Sequence, residues 1–284
     1  MRVLVLGASG MIGSAMFRVL SEGHEWDVWG TLRADADKRF FLSGHADRLV
    51  SDVDVEKQDA LVRVFAKVKP DVVINCIGLT KHHREADDAL LSIPLNALLP
   101  HRIADLCAAA GARLVHVSTD CVFSGTQGSY KESDKSDAVD VYGKSKYLGE
   151  VDYPHAITLR TSTIGHELQS SYGLLEWFLS REGSCKGFSR AIFSGLPNTV
   201  FAQIVRDVVI PKPDLHGLYH VGGQPIDKYS LLHLIAAEYG KQIDIVCDDS
   251  FIIDRSFSSE RFSKATGYIV EGWPTLIKRM HASR

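Results

Sequence analysis

The segment VYGKSKYLGE, residues 141–150, sets a phenol, Tyr142, four positions before an amine, Lys146. On a helix, residues so spaced share one face. A phenol that can release its proton is the acid a ketone needs when it accepts hydride, because negative charge then develops on the carbonyl oxygen. A free phenol keeps its proton to a pKa near ~10, and an adjacent ammonium favours the phenolate and lowers that value. Lys144, two positions from Tyr142, faces elsewhere and reads as solvated. Tyr and Lys at this spacing are common on helix surfaces, so the meaning of the pair rests on its company. One loop earlier the strand RLVHVSTDCVFSG ends on Ser118, Thr119 and Asp120, where side chains past the carboxyl end of a parallel strand line a ligand crevice. The Thr119 hydroxyl would orient a carbonyl oxygen. Asp120 and Cys121 beside it are candidate substrate contacts.

The chain opens on the apolar run Val3 to Leu6, followed by GASGMIG and the helical pattern SAMFRVLSEG. Strand, glycine turn and helix form the context in which backbone can approach a pyrophosphate, whose charge the helix N-terminus stabilises. Gly7, Ser9, Gly10, Met11, Ile12 and Gly13 are therefore read as cofactor-binding. The spacing is G-x-x-G-x-x-G. The end of the second strand, WDVWGTLR, selects the cofactor: an acid there binds a ribose 2′-hydroxyl, an arginine accommodates a 2′-phosphate. Arg33 favours NADP over NAD, although Asp35 and Asp37 follow closely enough to reach the same pocket. Asp52 and Val53, after the third strand RLVSDV, are placed at the adenine; Cys76, Ile77 and Gly78, after the fourth strand DVVINCIG, at the adenosine ribose.

These strands alternate with helical patterns, EKQDALVRVFAKV and LNALLPHRIADLCAAAG. Such alternation predicts an α/β fold with a doubly wound parallel sheet and right-handed crossovers. Beyond the sixth strand, HAITLRTSTIG, it becomes irregular: a helix over SSYGLLEWFLSREG, the segment CKGFSRAIFSGLPN, a helix over TVFAQIVRDVV capped by Asn198, and a short strand in GLYHVGG.

The GASGMIG turn, the Thr119 hydroxyl and the Tyr142-x-x-x-Lys146 pair together resemble the motifs of the extended short-chain dehydrogenases/reductases. More narrowly, VSTDCVFSG and LRTSTIG resemble the dTDP-4-dehydrorhamnose reductase branch, and SSERFSKATGYIVEGWPTLI resembles the closing helices of extended members. The resemblance implies an NAD(P)-dependent reductase of a nucleotide-linked 4-keto-6-deoxy sugar, dTDP- or UDP-linked, serving surface polysaccharide. It implies NADPH as hydride donor, Lys146 on the nicotinamide ribose as well as beside Tyr142, and a homodimer. It divides the chain into a dinucleotide-binding domain, residues 1–164 and 192–212, and a smaller, mostly C-terminal substrate-binding region, 165–191 and 213–284. Lys186, Arg190 and Arg255 are candidates for the sugar-nucleotide pyrophosphate, and Phe188 or Trp177 for its base. Two departures matter. Cys121 stands where the branch commonly has an aromatic residue, and no Glu follows Thr119-Asp120, so dehydration lacks its expected base. Two other readings stay open: an epimerase that keeps NAD bound, and a non-catalytic NADP-binding subunit such as the regulatory subunit of methionine adenosyltransferase, which resembles the same branch.

Composition narrows the rest. A formal net charge of −3 over 284 residues gives no basic footprint for nucleic acid. The five cysteines contain no C-x-x-C pair, which fits a reducing compartment and neither zinc nor redox sites. In KHHREADD the two histidines, His82 and His83, are adjacent and lack partners at metal-ligand spacing; the segment reads as surface, with Lys81 or Arg84 able to reach substrate. The N-terminal apolar run is too short for a signal segment or a membrane span, so the expected setting is cytoplasmic, without membrane partners.

Overall fold

The computed structural model describes every residue except 24, 25, 81–83, 170 and 284, and describes 84 and 85 by their backbone alone. Lys81, His82 and His83, and the side chain of Arg84, therefore lie outside the described residues. The chain begins with β1 (Arg2–Leu6), α1 (Met11–Ser21), β2 (Asp27–Thr31), β3 (Leu49–Val50), α2 (Gln58–Val68) and β4 (Val72–Asn75). It continues through α3 (Ala89–Ser92), α4 (Leu99–Ala110), β5 (Arg113–Thr119), α5 (Val141–Leu148) and β6 (Ala156–Thr161).

These strands, with a later one, β11 (Gly217–His220), form a seven-stranded sheet in the order β11-β6-β5-β4-β1-β2-β3, every pair parallel. Strands buried on both faces read as continuous apolar runs, and the two faces separate by alternate residues. Val3 and Val5 of β1 join the core cluster beneath α1; Leu4 and Leu6 join the cluster under α2 and α4. After β3 the chain returns across β1 to place β4 on its other side. The carboxyl ends of β1 and β4 diverge at that reversal, which is where a doubly wound sheet opens its crevice.

Two elements depart from the expected pattern. The third strand is only two residues long and is approached through two 3₁₀ turns, Asp35–Phe40 and Ser43–Arg48. The helix expected from residue 95 starts at Ala89 and widens into a π turn over Ile93–Leu98 before α4. Pro100 is the cause we assign: it has no N–H to give the carbonyl of Asn96, and its ring would press on that carbonyl.

The remaining elements are β7 (Thr163–Ile164), α6 (Leu174–Ser180), β8 (Ser184–Phe188), β9 (Ala191–Phe193), β10 (Leu196–Pro197) and α7 (Asn198–Ile204). They are followed by β11 (Gly217–His220), β12 (Ile226–Asp227), α8 (Lys228–Tyr239), β13 (Asp244–Asp248), β14 (Ile253–Asp254), α9 (Glu260–Thr266) and α10 (Trp273–Ala282). β8 pairs with β13, and β9 lies between β12 and β14. Leu175, Phe178, Leu231 and Leu276 from this half share one core cluster with Val3 and Met16 from the first, so the smaller region has no core of its own. Residues 217–220, expected with that region, instead pair with β6 and close the main sheet. Among the described residues no helix is long and apolar enough to cross a membrane.

Candidate active site

Three glycines shape the turn after β1, each for a different reason. Gly7 has a φ of +79°, and a Cβ there would sit 2.9 Å from Ile77 Cγ1. At Gly13 a Cβ would lie 2.0 Å from the Gly7 carbonyl oxygen, so α1 could not start so close to the strand. Gly10 is the N-cap of α1, and its bare Cα leaves the approach to the helix terminus open. β2 pins the turn: Thr31 Oγ1 accepts from Gly7 N at 3.0 Å, and Thr31 O accepts from Ala8 N at 2.9 Å. Asn198 holds the other side, donating through Nδ2 to Met11 O at 3.0 Å and His166 O at 3.3 Å. It is the first residue of α7 and not the cap expected; Pro197 occupies that position.

α5 is wedged into the end of β5 by two more glycines. A Cβ on Gly143 would meet Cys121 O at 2.2 Å, and one on Gly149 would meet Asn96 O at 1.9 Å. Asp140 caps the helix, accepting from Gly143 N at 2.7 Å. The result sets Tyr142 beside Thr119, whose Oγ1 donates to Asp120 Oδ1 and accepts from Cys121 N, both at 3.1 Å. Lys146 is buried, and its Nζ donates to Val117 O at 2.8 Å. Asn96, inside the π turn, grips the loop after β4: Oδ1 accepts from Leu79 N at 2.8 Å while Nδ2 reaches Leu79 O and Ser145 Oγ.

Burial dominates the electrostatics of this corner. It pushes the Tyr142 phenol above its ordinary range; Cys121, Asp120 and Asp140 add to that rise and the Thr119 hydrogen bond opposes it. In the chain alone desolvation outweighs any lowering by Lys146, so the phenol is held protonated. Burial also pulls Lys146 down to about 8, against the charge of Glu150. Asp120 is raised by burial, with Arg255 and its hydrogen bonds opposing. The Cys76 thiol is pushed up to about 12 by desolvation, which makes it an inert wall.

A cleft of about 1170 Å³ runs from the glycine turn to the C-terminal half. Its first part is lined by Gly7, Ser9, Gly10 and Met11, by Arg33, Asp52 and Val53, and by Cys76, Ile77 and Gly78. Its second part is lined by Asp120, Cys121, Trp177, Lys228, Phe251 and Arg255, among others. Arg255 donates through Nε to Phe123 O at 2.8 Å and approaches Cys121 Sγ with Nη1 at 3.6 Å.

The family model described as the RmlD substrate binding domain matches residues 1–180. The chain belongs to this family. It is 26% identical over 234 residues to a dTDP-4-dehydrorhamnose reductase of Aggregatibacter actinomycetemcomitans, an alignment spanning 79% of this chain and 74% of the relative. It is 27% identical over 251 residues to the methionine adenosyltransferase 2 subunit beta of Xenopus tropicalis, spanning 81% and 70%. In fold it is similar to the crystal structure of dTDP-4-dehydrorhamnose reductase from Bacillus anthracis in complex with NADP. That likeness has a TM-score of 0.82 at 18% identity and covers 100% of this chain and 99% of the other.

Within this RmlD-family fold, most residues singled out from sequence converge on the cleft. Ile12 and Gly13 lie just behind its wall in α1, and Thr119, Tyr142 and Lys146 do not line it but stand next to Asp120, Cys121 and Gly78, which do. Two do not converge. Lys186, with a side chain 69% exposed, is paired with Asp248 at 2.8 Å between β8 and β13, and Arg190 is exposed outside the lining. Phe188 stands one ring back, 5.3 Å from Phe251 between centroids. Asn96, Asn198, Gly143 and Lys228 were not legible as site residues. Their signals, a proline-widened helix and glycines facing carbonyls, exist only once the elements are packed.

Proposed function

We propose that the protein is an NADPH-dependent reductase of a nucleotide-linked 4-keto-6-deoxy sugar, acting in deoxysugar biosynthesis. The observation that supports this reading is that Thr119, Tyr142 and Lys146 stand directly behind Asp120, Cys121 and Gly78, which line the cleft that begins at the glycine turn. The turn suits a dinucleotide: a Cβ at Gly7 or Gly13 would fill it, and it opens on the N-terminus of α1. Gly7, Ser9, Gly10 and Met11 would hold the pyrophosphate, Ile12 and Gly13 shaping the helix start behind them. Arg33 would face the 2′-phosphate, Asp52 and Val53 the adenine, and Cys76, Ile77 and Gly78 the ribose. When bound, the cofactor supplies hydride.

The chain's own groups do the rest. Tyr142, kept protonated by its surroundings, hands its proton to the carbonyl oxygen as charge develops there. Thr119 donates to the same oxygen and fixes its direction. Lys146 provides positive charge one turn from the phenol, which stabilises the phenolate left behind. Asp120, Cys121 and Arg255 border the sugar, Arg255 being the best placed cation for its pyrophosphate. Cys121 in place of an aromatic residue leaves more room beside the sugar.

NADP is favoured over NAD by how the neighbouring acids are engaged. Asp35 takes Lys38 and Ser51, and Asp37 takes Gln169 Nε2 at 2.9 Å across the cleft. Arg33 is left at the mouth. The test is to follow NADPH and NADH consumption against dTDP- and UDP-linked 4-keto-6-deoxy sugars made in situ by a dehydratase. Turnover, faster with NADPH, supports the reading. No turnover with any of them overturns it and favours the non-catalytic subunit to which the Xenopus relative points.

A further inference from the structure

The spacing of Tyr142 and Lys146 continues past the end of α5. Glu150 stands four residues beyond Lys146, so the three side chains form one stripe. Each meets one of three consecutive residues at the end of β5. Tyr142 lies beside Thr119, Lys146 Nζ donates to Val117 O, and Glu150 Oε1 accepts from Ser118 Oγ at 2.7 Å. The same carboxylate takes Arg160 of β6 in a fork, Nε to Oε1 and Nη2 to Oε2, each at 2.7 Å. The side chains of the pair are 2% and 9% exposed. Burying two ions so completely is costly and adds little to stability over an apolar pair of the same volume. A carboxylate fixed by three donors so close to an active-site lysine invites a role in the chemistry.

We propose that Glu150 is a positioning residue: anchored by Arg160 and Ser118, it holds negative charge one turn beyond Lys146 and keeps that lysine in its ammonium form. The use of that ammonium rests on the reduction proposed above; the charge itself does not. Among the described residues, Glu150, Cys76 and His116 are coupled to Lys146, and Tyr142 lies one turn before it on the same helix. Tyr142 on its own helix and Cys76 after β4 are both held protonated by burial, and His116 of β5 is held neutral by burial and by Lys146 itself. Glu150 is the one that supports the ammonium near neutral pH, against a desolvation that has already brought the lysine to about 8. Without the carboxylate, Lys146 would give up its proton at lower pH.

The experiment is a lysine ¹³Cε and ¹⁵Nζ NMR titration of the full chain, with the Lys146 signal assigned by its loss in Lys146→Arg. In Glu150→Gln the Lys146 midpoint should fall by about one pH unit, and Glu150→Asp should return it most of the way. The alkaline limb of kcat should move down with it, while KM for the sugar stays nearly constant. If Glu150→Gln does not fold because Arg160 is left unpaired, the double variant Glu150→Gln with Arg160→Met carries no lone charge and should show the same fall. An unmoved Lys146 midpoint in whichever of these folds overturns the proposal and leaves Glu150 a structural ion pair. Absence of turnover in the unaltered protein would overturn the reductase reading, and the titration would still decide this one.

Discussion

At the scale of single residues, the phenol at 142 is the group whose removal should separate binding from chemistry. Tyr142→Phe is expected to lower kcat by about 10²–10⁴ while NADP affinity, read by fluorescence titration, stays within a few-fold. Equal activity in the variant would remove the proton donor from the mechanism. Arg33→Ala should raise KM for NADPH by roughly tenfold, the value of one charge-assisted contact, and leave KM for NADH unchanged; a parallel rise for both would show that Arg33 does not read the 2′ position. Both residues were legible in the sequence because type and spacing alone define them. The direction of the Tyr142 shift was not. It depends on how deeply α5 is wedged against β5, which Gly143 and Gly149 set through contacts with Cys121 O and Asn96 O. Lys186 and Arg190 failed for a related reason: their charge is visible in the sequence, but Asp248 and the surface claim them only after β8 and β13 pair.

At the scale of elements, the turn between β1 and α1 should tolerate no added methyl at Gly13. Gly13→Ala forces backbone apart where a Cβ would sit 2.0 Å from an oxygen. The expected cost is upward of about 2 kcal/mol, seen in urea unfolding, with loss of NADP binding beyond what the lowered stability explains. Unimpaired cofactor binding in a stable Gly13→Ala protein would argue against this turn as the pyrophosphate cradle. The strands of the first half were readable from their apolar runs. Those of the second half, β8, β9, β12, β13 and β14, were not, because β9 is only three residues long and the others are short and largely outside the core, so period and burial give little contrast. The π turn at Ile93–Leu98 left only an indirect trace, two prolines in a helical pattern.

At the scale of the whole molecule, the two halves share one core, and buried histidines tie its stability to pH. His220 lies between Arg160 Nη1, 3.1 Å away, and the ring of Phe257. Burial, with the Arg160 charge next, holds it down at about 3 against an ordinary value of 6.5. The unfolded chain therefore binds a proton that the folded one refuses as pH falls below 6.5. Stability is unaffected above that value and should decline between pH 6.5 and 3, by on the order of 4 kcal/mol from this residue. His220→Gln should flatten that slope in denaturant titrations at stepped pH; an unchanged slope would place the acid sensitivity elsewhere.

β11 also dictates when the protein can finish folding as it is made. Its partner β6 ends at Thr161, yet β11 begins only at Gly217, so at ~5–20 residues per second a nascent chain shows the ribosome surface an open, apolar strand edge for several seconds. Chains stalled before residue 217 should be cut readily by added protease and should recruit holdase chaperones, and both signs should fade once the chain has cleared the exit tunnel past His220. Slow translation over residues 162–216 would then lower yield without altering the finished enzyme.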